Sequence, residues 1–79
     1  MKITKDTLEL IFNSIATTED AKELASIVYP LLVKSKSYQD AKMLIKSWFI
    51  VNSNADGAAI LPSILKTLDV LEEEGFTLR

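Results

Sequence analysis

The residues best placed to do chemistry lie around position 52. Asn52-Ser53-Asn54-Ala55-Asp56-Gly57 reads N-x-N-x-D-G, the first half of a calcium-binding EF-hand loop. The second half fails. The first ligand position holds the neutral Asn52 instead of Asp, and the twelfth, where a bidentate Glu belongs, holds Ser63. One carboxylate does not offset the dehydration of a divalent cation, so no metal is expected. The segment reads as an Asn/Asp/Gly turn with Gly57 at positive φ.

A second constellation is Ser37, Tyr38, Gln39 and Lys42 at the start of a helix, reached from the preceding helix through a brief Ser35-Lys36-Ser37 turn. Those residue types reach phosphates and base edges in a helix-turn-helix recognition helix. Charge argues against it. Nine Lys and Arg face eleven Asp and Glu, a net charge of −2, and the sole arginine is Arg79. The electrostatic footprint that carries nucleic-acid binding is thin, and nucleic acid is not an expected partner.

Catalysis is not expected either. The chain has no cysteine and no histidine, which removes thiol nucleophiles, histidine-based triads and nearly all zinc sites. The only glycines are Gly57 and Gly75, so there is no Gly-rich phosphate loop and no cofactor is implied. The carboxylates fall on polar helix faces or in turns, away from the apolar surroundings that tune an acid or base.

The elements that carry these residues are helical. Leu8, Ile11, Phe12 and Ile15 follow the spacing of one helix face after the cap residues Thr4 and Asp6, predicting a short helix over about 5–16. Thr17-Thr18-Glu19-Asp20 starts a second helix, whose face is Ala21, Leu24, Ala25, Val28, Leu31 and Leu32. Pro30 removes the hydrogen bond to the Ser26 carbonyl, so this helix is expected to kink or end there rather than run straight to Lys34. Ser37-Tyr38-Gln39-Asp40 repeats the start signal. Ala41, Leu44, Ile45, Trp48 and Val51 then form the expected core face of a third helix ending near Val51.

Leu61, Ile64, Leu65 and Leu68 continue the same phase twenty residues later. Three helices in step could mark a repeated solenoid unit, but similar helices joined by short loops fall into step in any antiparallel bundle. Gly75 is placed as the left-handed stop of the fourth helix, with Phe76 closing back on Leu71. No segment alternates like a strand, although residues 2–5 and 76–79 could pair weakly. The expectation is one all-α domain over residues 1–79. It is a small four-helix bundle, or three main helices with a short N-terminal helix laid across them.

No apolar run approaches a membrane span, the first residues turn polar at once, and the chain lacks cysteine, so a soluble cytoplasmic protein with no membrane partner is expected. What remains for function is surface. On the third helix Met43 and Ile50 fall opposite the expected core face, with Phe49 on the flank beside Lys42. This apolar patch, rimmed by Lys42 and Lys46, is one candidate contact surface. The other is the acidic end of the fourth helix, Asp69, Glu72, Glu73 and Glu74, whose charges oppose the helix dipole. It would suit a basic patch on a partner, or the lysines between Lys34 and Lys46 of a neighbouring copy.

The reading is a non-enzymatic interaction module, an adaptor, inhibitor or small regulatory subunit that occupies a surface on a larger protein, with a homodimer also in view. The alternatives are a small helix-turn-helix-like DNA-binding regulator and a self-assembling structural protein.

Overall fold

The computed structural model describes residues 1–52 and 55–78, with residues 55–58 described by their backbone alone. It is an all-α bundle of α1 (Lys5–Phe12), α2 (Thr18–Lys34), α3 (Tyr38–Asn52) and α4 (Ala55–Glu73). Each helix packs on its neighbour in the chain: α1 on α2, α2 on α3, α3 on α4.

Helix starts are set locally. The Thr4 hydroxyl accepts from the Thr7 N–H (3.1 Å), that of Thr17 from Asp20 (3.2 Å) and that of Ser37 from Asp40 (3.2 Å). Each satisfies one of the backbone donors that a first turn leaves without a helical partner. At α3 the Asp40 carboxylate also accepts from the Lys36 N–H (3.0 Å), one residue ahead of the Ser37 cap. The end of α4 is also local. Gly75 adopts φ 85°, the Phe76 N–H donates to the Leu71 carbonyl (3.0 Å) and the Gly75 N–H to that of Glu72 (3.1 Å). These are the two bonds of a Schellman stop.

Several boundaries differ from expectation. α1 ends at Phe12, and Ile15 sits in the following turn, 36 % exposed. α2 continues through Pro30 to Lys34, so losing one backbone bond does not end it where Val28 and Leu32 are both buried. Tertiary packing outweighs the local break. α4 starts at Ala55, so Gly57 lies inside the helix and the turn expected there is corrected. Ser53 and Asn54 of the EF-hand-like segment lie outside the described residues, as does Arg79.

The core is one contiguous cluster. It takes Leu8 and Phe12 from α1, Ala21, Leu24, Ala25, Val28 and Leu32 from α2, and Ile64, Leu68 and Leu71 from α4. From α3 it takes Tyr38, Ala41, Ile45 and Phe49. Ile3, 1 % exposed, joins it from outside the helices. It is held by a parallel bridge between residues 2 and 77, in which the Ile3 N–H donates to the Thr77 carbonyl (2.9 Å) and the Thr77 N–H to the Met1 carbonyl (2.8 Å). The hydroxyls of the buried Ser35 and Thr67 donate to carbonyls four residues back, Leu31 (2.7 Å) and Ser63 (2.9 Å). Burial therefore leaves neither hydroxyl unsatisfied. Among the described residues no helix is long and apolar enough to cross a membrane.

Candidate interaction surface on helix α3

α3 is rotated relative to the expectation from its apolar spacing. The buried positions Tyr38, Ala41, Ile45 and Phe49 lie roughly 70° around the axis from the centre of the expected face, at about 100° per residue. Phe49, expected in the exposed patch, is 3 % exposed and meets Trp48 edge to face at 5.1 Å. Val51, expected in the core, is 79 % exposed, and Leu44 is only half-buried and stands outside the core cluster. The physical reason is that α3 packs against both α2 and α4, so its buried arc must serve both neighbours. A Phe ring removed from water also contributes more than a Val side chain.

The rotation leaves a continuous outer stripe. Met43 (62 % exposed), Ile50 (76 %) and Val51 (79 %) share an arc with the half-buried Leu44 and the exposed Ser47. The spacing i, i+1, i+4, i+7, i+8 is itself helical, so the sequence held the signal for Val51. What concealed it was that α3 carries two overlapping apolar arcs.

The lysines divide. Lys46 is exposed, beside the outer stripe. Lys42 is turned towards α4, where its ammonium donates to the Asp69 carboxylate. That hydrogen bond holds the Lys42 ammonium above its usual range, with Glu72 adding to it. Asp69 and Lys42, assigned from sequence to separate contact regions, are thus brought together within one chain. Glu72, Glu73 and Glu74 remain exposed at the end of α4. Glu72 lines a shallow groove of about 470 Å³ together with Lys36, Tyr38, Phe76 and Leu78. Acidic and basic segments therefore already face one another inside the molecule.

The Tyr38 hydroxyl donates to the Phe76 carbonyl (2.7 Å), and only 9 % of the residue is exposed. A side chain committed in this way does not reach for a phosphate or base edge. Burial first, and the Glu72 carboxylate second, raise its pKa. No cluster of three or more acidic, histidine or cysteine side chains able to hold a metal occurs among the described residues.

Comparison with known protein families, with curated proteins and with solved structures finds no match to this chain.

Proposed function

We propose that this chain is a non-enzymatic protein–protein interaction module whose contact surface is the outer face of α3. The observation that carries the reading is the exposure of Met43, Ile50 and Val51 on one helix face while the opposite face fills the core. Apolar side chains clustered in this way forgo burial that a partner surface would restore, and such clusters supply interface hot spots. Lys46 stands on the rim, and Glu72, Glu73 and Glu74 offer a separate acidic edge. The lack of histidine and cysteine supports action by occupancy, as an adaptor, inhibitor or small regulatory subunit, and a cytoplasmic setting fits the lack of cysteine.

The test pairs stability with binding. Met43→Ser and Ile50→Ser should leave the fold intact, with stability within about 1 kcal/mol of wild type. The same changes should weaken capture of a protein partner from the source cells, or self-association. Unfolding of both variants, or undiminished association in both, would reject the surface.

A further inference from the structure

We infer that residues 1–12 form a lid: the extended segment and α1 leave α2 as one unit while α2, α3 and α4 stay folded, and a latch at Thr77 holds the lid shut. This goes beyond the contact surface on α3 and does not depend on it.

The latch has a fixed limb and a lightly held one. The fixed limb follows α4. Gly75 turns it back, the Phe76 N–H donates to the Leu71 carbonyl (3.0 Å) and the Phe76 carbonyl accepts from the Tyr38 hydroxyl (2.7 Å). Leu71 and Tyr38 are both core residues, so this limb is fastened to α4 and α3 at once. The other limb, residues 1–3, places one side chain in the core, that of Ile3, and meets Thr77 through two backbone hydrogen bonds. Met1, Lys2 and Thr4 are exposed. When the limbs part, the N-terminal one moves, because fewer buried contacts hold it.

α1 follows because it does not stand alone. Thr4, directly after Ile3, is its cap: the hydroxyl accepts from the Thr7 N–H and the carbonyl from the Leu8 N–H, both at 3.1 Å. With eight residues α1 is shorter than the about 12–15 that an isolated helix needs in water. It therefore depends on burial of Leu8 and Phe12, with Ile3 as the adjoining anchor. It packs extensively on α2 and on no other helix. Release of Ile3 removes one of three buried anchors and frees the cap residue, and the mostly exposed turn over 13–17 serves as the hinge.

α2 has what α1 lacks. It runs for 17 residues, is capped by its own Thr17, and packs on α3 as well. Opening therefore stops at α2 and uncovers the apolar surface that α1 covers when shut.

A chain without cysteine allows the latch to be locked. Lys2 and Thr77 are bridge partners and both are exposed, and bridged residues lie about 5 Å apart, within the span of a disulfide. Amide hydrogen exchange, with the Leu8 and Asn13 N–H groups reporting on α1 and those of Val28 and Leu32 on α2, follows the lid. In the unmodified chain the α1 amides should exchange at least about tenfold faster than the α2 amides, after correction for intrinsic rates. In Lys2→Cys/Thr77→Cys, oxidation should slow the α1 amides at least about tenfold relative to the reduced form of the same variant. Ile3→Val, a milder change that keeps the fold, should speed them about two- to tenfold. Circular dichroism verifies that each variant is folded. Equal rates in α1 and α2 of the unmodified chain overturn the inference, since the domain then opens as a whole. So do α1 rates that respond neither to oxidation nor to Ile3→Val, since α1 then opens without the latch.

Discussion

The Tyr38 hydroxyl, at the first residue of α3, donates a 2.7 Å hydrogen bond to the carbonyl of Phe76, just beyond the end of α4. It ties together two segments 38 residues apart in the chain, beside the bridge that holds Ile3 in the core. Tyr38→Phe keeps the ring and removes the donor, leaving a part-buried carbonyl without it, at a cost of about 1–3 kcal/mol. Thermal unfolding measures that loss. Tyr38 also has a pKa raised above the ordinary value of about 10. The folded state therefore favours the neutral phenol. The associated stability is fully present below pH 10 and is lost as pH rises through the folded pKa. Stability measured between pH 9 and 11 should fall more steeply for wild type than for Tyr38→Phe.

The rotation of α3 makes a contrast between two residues of the same turn. Phe49→Ala should cost roughly 3–5 kcal/mol, since it empties a buried ring site, and in a domain of this size that approaches complete unfolding. Val51→Ala, two positions on, should change stability by no more than about 0.5 kcal/mol. Urea denaturation distinguishes the two. Equal losses would return α3 to the phase that its apolar spacing implies.

Gly75 is held at φ 85°, where a Cβ is disfavoured, and nothing lies within 4 Å of where that Cβ would sit. Gly75→Ala should therefore cost about 1–2 kcal/mol through backbone strain alone. A domain of this size should melt roughly 4–8 °C lower for each kcal/mol. Gly75→Asn, which tolerates the left-handed region better, should recover part of the loss.

At the start of α3, Ser37→Ala removes the acceptor for the Asp40 N–H and should cost about 1 kcal/mol. Thr17→Ala at α2 should behave alike. Amide hydrogen exchange checks the mechanism: faster exchange should be confined to the first turn of the affected helix.

Features that depend on a few adjacent residues could be read from the sequence. The caps at Thr17 and Ser37, the stop at Gly75, most of the α2 core face, Leu8 and Phe12 of α1, and Ile64 and Leu68 of α4 follow from side chains meeting backbone within one turn and from apolar spacing, whereas Ile15 is exposed and Leu61 and Leu65 are only partly buried. The caps, the stop and the spacing fixed the number of helices and the all-α class. The absence of histidine and cysteine likewise restricted the chemistry before any fold was known.

What only the tertiary structure decided is the set of relationships between distant segments. Phe49 is buried and Val51 exposed because α3 carries two overlapping apolar arcs, and its neighbours choose between them; helical periodicity alone leaves that choice open. Lys42 pairs with Asp69, and Tyr38 reaches Phe76, only because packing brings α3 and α4 side by side. α2 runs through Pro30 because burying Val28 and Leu32 outweighs one lost backbone bond, and that free energy belongs to the assembled core.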